Sequence, residues 1–140
     1  MDADAHIIQL DGPARLALVD RVLDAIDAAW AAAPHVPDLD RTLFALAVSE
    51  VATNMVQHSD GPTDVQLRID IRIAADDLTA TLVDTAPPAS IDWHGVAMPD
   101  AESESGRGLA LAQTVLDEFV HSYDDGGNTW VLRRLLSTLD

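Results

Sequence analysis

Cysteine is absent from the chain, and so is lysine. Without cysteine there can be no disulfide, no thiolate nucleophile and no cysteine-ligated zinc site. Without lysine, all formal positive charge rests on 8 arginines. They face 24 aspartates and glutamates, leaving a net charge of −16 over 140 residues. Each phosphate that a protein contacts on a nucleic acid calls for a cation, so this composition argues against direct DNA or RNA binding. An excess of acid also keeps a small protein soluble. A phosphate ligand held by such a chain needs Mg²⁺ or backbone N–H groups to offset its charge. Long apolar runs are missing too: none approaches the roughly 18 residues of a membrane span. Met1 is followed by Asp2 and Asp4 instead of a basic and then apolar leader. The expectation is a cytoplasmic protein with no membrane partner.

What is present is enough for a core. Hydrophobic residues make up 48% of the chain and charged ones 23%, the balance of a globular domain. A domain of this size buries roughly 68% of its unfolded surface and needs no metal or crosslink to fold. No repeat, low-complexity stretch or linker divides the chain, so residues 1–140 are read as one domain. Ile7, Ile8 and Leu10 predict a short strand stopped by Asp11-Gly12-Pro13, with Pro13 suited to a first helical turn. Leu16, Val19, Val22, Leu23, Ile26 and Trp30 then recur at helical spacing, and a second helix is predicted over Leu39–His58. Val65, Leu67, Ile69, Ile71 and Ile73 alternate with polar residues as a half-buried strand. The return strand is Leu78–Asp84, and Thr85–Ser105 reads as a long loop. A third helix is expected over Leu109–Glu118, followed by strands Phe119–Tyr123 and Trp130–Leu136 around Asp125-Gly126-Gly127-Asn128. The sum is α+β: a two-layer sandwich, mostly antiparallel sheet, covered on one face by three helices.

Three places break the pattern. On the second helix, Leu43, Phe44, Ala47, Val48, Val51 and Met55 form an apolar arc, and Glu50 and Asn54 fall inside it one turn apart. A carboxylate on a core-facing arc is costly unless paired. Either Glu50 bonds an arginine and Asn54 caps a strand end, or both project into a cleft where hard oxygen ligands suit Mg²⁺. The second break is Ser105-Gly106-Arg107-Gly108-Leu109-Ala110-Leu111. It is either a flexible loop end or two glycines ahead of a helix whose free N–H groups make an anion site. The third is Asp84, which ends an apolar strand before Thr85-Ala86-Pro87-Pro88 and is either a turn residue or a recognition group. The five histidines lack ligand spacing, so no zinc site is expected.

In this order the three segments resemble the GHKL ATP-binding fold of gyrase-type ATPases and histidine kinases. They are most like the bacterial anti-sigma-factor serine/threonine kinases that switch between partners. Ala47-Val48-Ser49-Glu50-Val51-Ala52-Thr53-Asn54-Met55-Val56-Gln57-His58 is similar to that family's first box. The resemblance implies that Glu50 is the general base and Asn54 the Mg²⁺ ligand. It also implies that Asp84 accepts the adenine amino group beside Ala86, and that Gly106, Arg107, Gly108 and Leu109 cradle phosphate. Thr129 would sit near the adenine. ATP and Mg²⁺ are the cofactors so implied; the partners are an antagonist (anti-anti-sigma) protein and a sigma factor, and the assembly is a homodimer. Two departures stand out: Ala86 and Pro88 replace the family's usual glycines, and Ala89–Ser105 is a short lid. Arg107 is the sole basic residue between Asp84 and Arg133.

Two functions follow from different classes. One is an ATP-dependent protein serine/threonine kinase that phosphorylates the antagonist and sequesters a sigma factor. The other is a nucleotide-responsive or nucleotide-free regulator that captures a partner without phosphorylating it, which Ala86 and Pro88 favour. A histidine kinase is the poorer expectation, since no dimerising His-bearing helix pair precedes the domain.

Overall fold

The computed structural model describes residues 5–57, 65–86, 104–124 and 126–136. The lid read over 89–105 therefore lies almost wholly outside the described residues, as do Pro88 and His58. Five strands, β1 (His6–Pro13), β2 (Gln66–Ile73), β3 (Asp77–Asp84), β4 (Glu118–Asp124) and β5 (Gly127–Leu135), join in the order β1-β2-β3-β5-β4. Every neighbouring pair is antiparallel. Helices α1 (Leu16–Ala29), α2 (Asp38–Gln57) and α3 (Glu104–Val115) contribute buried residues to the core on one face of the sheet. The expected α+β two-layer architecture is the one observed.

The sheet forms because β2 and β3 alternate strictly. Leu67, Ile69, Ile71 and Ile73 pair across from Asp84, Leu82, Ala80 and Leu78, and all eight are buried toward the helices. From α1, Leu18, Val19, Val22 and Ile26 meet that face; from α2, Phe44, Ala47, Val48, Val51, Ala52 and Met55 do. Asp38 and Asp40 in the first turn of α2 complement its dipole. Asp40 is also fully buried, and its Oδ1 accepts from Arg134 Nε at 2.7 Å. The same guanidinium donates to the Val115 carbonyl at 2.5 Å. One arginine thus ties the start of α2 and the end of α3 to β5.

Three boundaries depart from expectation. β1 runs through Pro13, which pairs with Gln66, instead of stopping before a proline-led helix. An edge strand tolerates proline, and the pairing resumes at once with Ala14 N–H to Val65 O at 2.9 Å. At the other end of the chain, α3 starts at Glu104, five residues early, and stops at Val115. It stops there because Asp117 and Glu118 are drawn into the sheet: Asp117 N–H bonds Arg133 O at 2.8 Å, and Leu135 N–H bonds Asp117 Oδ2 at 2.6 Å. Leu16 of the predicted α1 stripe is exposed, and Leu18 packs in its stead.

Candidate functional site

On α2, Asn54 is 5% exposed, and its Nδ2 is sealed from solvent with no hydrogen-bond partner. A buried donor left unmade costs about 1–3 kcal/mol, so it calls for a reason. Capping a strand end is not that reason, since no bond from Asn54 to a described residue exists. Glu50, one turn earlier, is half-buried, and it forms no ion pair with a described residue. The arginines of the described ion pairs, Arg68, Arg72, Arg133 and Arg134, bind other carboxylates. Among the described residues, then, neither the arginine pairing of Glu50 nor the capping by Asn54 is seen.

α3 packs directly on this pair. A Cβ at Gly108 would land on the Glu50 carboxylate, with Glu50 Cδ at 3.3 Å. Gly108 therefore lies flush against the acid because it has no side chain. This revises how the glycine segment works. Both Gly106 and Gly108 lie inside α3, not ahead of it, so the N–H groups left free by the helix belong to the turn beginning at Glu104. Gly106 is in that turn; Gly108 and Leu109 are past it. Leu109 is buried at 4% exposure and belongs to the core. The Arg107 side chain lies outside the described residues.

At the end of β3, Asp84 is 4% exposed on the helix-facing side of the sheet. Its Oδ1 accepts three hydrogen bonds: from Ala86 N–H at 3.1 Å, Asn128 N–H at 3.2 Å and Asn128 Nδ2 at 3.0 Å. Oδ2 takes none of these. The backbone is pinned as tightly. Gly127, at φ 134°, lies so close that a Cβ there would collide with the Asp84 carbonyl oxygen, with the carbonyl carbon at 2.7 Å. That approach and that φ both require glycine. Ala86 is buried, and its carbonyl accepts from Asn128 Nδ2 at 3.4 Å. A carboxylate with one oxygen saturated by N–H donors and the other unclaimed can accept a hydrogen bond from a ligand amine.

Thr129 does not join this group. It pairs with Val83, so strand alternation turns it to the face opposite Asp84. Asn128 is the β5 residue that meets Asp84. The signal was available in the sequence: Trp130 had to face the core, and the residue two before it shares its face. A recess lined by Gln9, Leu10, Asp11 and Arg68 lies at the β1 edge and contains none of the candidate residues. Among the described residues, no group of three or more His, Asp or Glu side chains could hold a metal, and no helix is long and apolar enough to cross a membrane.

An antiparallel five-stranded sheet with its helices on one face is the α+β architecture of the GHKL type. The family model described as the histidine kinase-like ATPase domain matches residues 12–134, and the chain belongs to that family. Its fold is similar to the crystal structure of the RsbU and RsbW domains of Rv1364c from Mycobacterium tuberculosis. The TM-score is 0.64 at 20% identity, over 95% of this chain and 33% of that one. It is also similar to the histidine kinase domain of a blue-light activated histidine kinase from Erythrobacter litoralis. There the TM-score is 0.54 at 21% identity, over 86% of this chain and 60% of that one. The chain thus spans a third of the first neighbour's length and three fifths of the second's. No curated protein matches the sequence.

Proposed function

We propose that this domain binds Mg-ATP and transfers the γ-phosphoryl group to a serine or threonine hydroxyl of a small antagonist protein, with sigma-factor sequestration as its second activity. The observation that carries the proposal is the pair on α2: a buried amide and, one turn before it, a carboxylate, neither of them bonded to a described residue. Asn54 would hold Mg²⁺ through its amide oxygen, a hard ligand suited to that ion. Bound there, the ion would supply charge neutralisation to the phosphates. Asp84 accepts from the adenine amino group through Oδ2. The first turn of α3, with Gly106, offers N–H groups to phosphate, and Arg107 is the cation of that turn.

Glu50 takes the proton. As the acceptor hydroxyl oxygen bonds the γ-phosphorus, the bond from that phosphorus to the β–γ bridging oxygen breaks, ADP departs, and the hydroxyl proton passes to the Glu50 carboxylate. Such transfer asks mainly for positioning and charge neutralisation, which suits a site with little covalent chemistry to offer. In this reading the chain acts as one domain, in the cytoplasm, as a homodimer.

The second reading, a partner-binding regulator without kinase activity, is favoured by Ala86. Its buried methyl stands where the resemblance leads one to expect glycine, next to the adenine-reading acid. Capture of candidate antagonist and sigma proteins, followed by label transfer from γ-labelled ATP, separates the two. Labelling of a captured antagonist supports the kinase. Capture without labelling leaves the regulator.

A further inference from the structure

Behind Asp84 lies a chain of hydrogen bonds that reaches the outermost strand of the sheet. Asn128 donates through Nδ2 to Asp84 Oδ1 at 3.0 Å, so its own Oδ1 points the other way, where it meets His121 Nε2 at 2.9 Å. An amide oxygen only accepts. His121 must therefore carry its proton on Nε2. Were the proton on Nδ1, Nε2 could accept only from an amide turned round, and that would set Asn128 Oδ1 against the Asp84 carboxylate. The imidazole is held in place by its cross-strand partner, the buried Trp130, with ring centroids 4.3 Å apart. Asp84 Oδ2, by contrast, bonds no described residue and is not among the side-chain atoms sealed from solvent.

We infer that His121 is a positioning residue for base selection: its Nε2–H fixes the Asn128 amide, which occupies Asp84 Oδ1 and leaves Oδ2 as the one acceptor for a purine 6-amino group. The inference rests on the reading of Asp84 as the base-recognising acid. A purine with a 6-oxo group presents an acceptor at that point and is refused by the same oxygen. When the His121 donor is lost, the amide loses the anchor at its own Oδ1 and is held through Nδ2; the two backbone N–H groups still bond Asp84 Oδ1, but the third of its three donors is loosened and the carboxylate is held less firmly. Discrimination between the two purines then falls.

The test uses the whole chain, with Mg²⁺ and two probes, ADP and inosine diphosphate, titrated by calorimetry. Wild type should prefer ADP. His121→Leu should weaken ADP by about 3- to 10-fold, the worth of one hydrogen bond, and leave inosine diphosphate nearly unchanged. His121→Gln, which keeps a side-chain N–H donor, should recover most of the preference. In parallel, long-range ¹⁵N–¹H spectra of the ligand-free wild type should show neutral His121 protonated on Nε2. A His121→Leu chain that discriminates as well as wild type overturns the relay alone. So does a His121→Gln chain as poor as His121→Leu, because ring packing on Trp130 would then explain the loss. Protonation on Nδ1 overturns it without any nucleotide. A wild type that binds neither nucleotide overturns the reading of Asp84 and the relay together.

Discussion

Replacing Gly108 by alanine is the sharpest way to ask what the contact between α3 and α2 is for. The backbone at Gly108 is helical and its φ is not positive, so alanine is allowed there. A glycine-to-alanine change inside a helix gains about 0.5–1 kcal/mol. The added methyl would land on the Glu50 carboxylate, with Glu50 Cδ at 3.3 Å and Cβ at 3.8 Å. What must move is the far end of a flexible side chain, at an off-rotamer cost of about 0.5–1.5 kcal/mol. The two terms nearly cancel, so urea unfolding of Gly108→Ala should fall within about 1 kcal/mol of wild type. Phosphotransfer should not be spared. A displaced general base forfeits about 10²–10⁴ in rate, and Gly108→Ala should approach Glu50→Gln while still binding Mg-ATP. The double variant should be no slower than Glu50→Gln alone, since both remove one interaction. Independent, multiplying losses would refute the idea that Gly108 acts by making room for Glu50. Full transfer activity in a well-folded Gly108→Ala chain would refute it more simply.

Asn54→Ala should weaken Mg-ATP far more than adenosine, as measured by calorimetry; equal losses would remove the metal role from Asn54. Asp84→Asn puts an amide where three N–H groups and an incoming amine all donate, so ADP affinity should drop by about tenfold. An unaltered preference for ATP over GTP would count against that assignment. Asp40→Ala leaves the largely buried Arg134 guanidinium with the Val115 carbonyl but no counter-charge and should cost about 3 kcal/mol in urea unfolding, against well under 1 kcal/mol for the exposed Arg68–Asp70 pair.

The parts that periodicity governs were legible in the sequence. The alternation from Leu67 to Ile73 and from Leu78 to Leu82 gave the central strands and their buried face, and α2 begins one residue from its expected start. Glu50 and Asn54 stood out because a polar pair on an apolar arc conflicts with burial, and the structure leaves both without described partners. Boundaries set by tertiary contacts were not legible. Gly106 and Gly108 read as lying just ahead of a helix, yet α3 runs through both because Leu109 and Ala112 pack into the core and Gly108 must lie flat on Glu50. Pro13 read as a helix opener, but an edge strand had room for it. The exchange of Thr129 for Asn128 is a register error of one residue, which in a strand moves a side chain to the opposite face. His121 carried no signal at all. A lone histidine on a strand acquires meaning only when pairing with β5 brings it to Asn128.

The central claim is that Glu50 serves proton transfer and not nucleotide affinity. Glu50→Gln keeps the shape of the side chain and removes the base, and a base acts only once the acceptor hydroxyl has arrived. Purified wild type and Glu50→Gln should be compared for Mg-ATP affinity by calorimetry and for label transfer from γ-labelled ATP to the captured antagonist. The account predicts matched affinities, matched capture and a loss of transfer of about 10²–10⁴. Transfer by Glu50→Gln at the wild-type rate would contradict it.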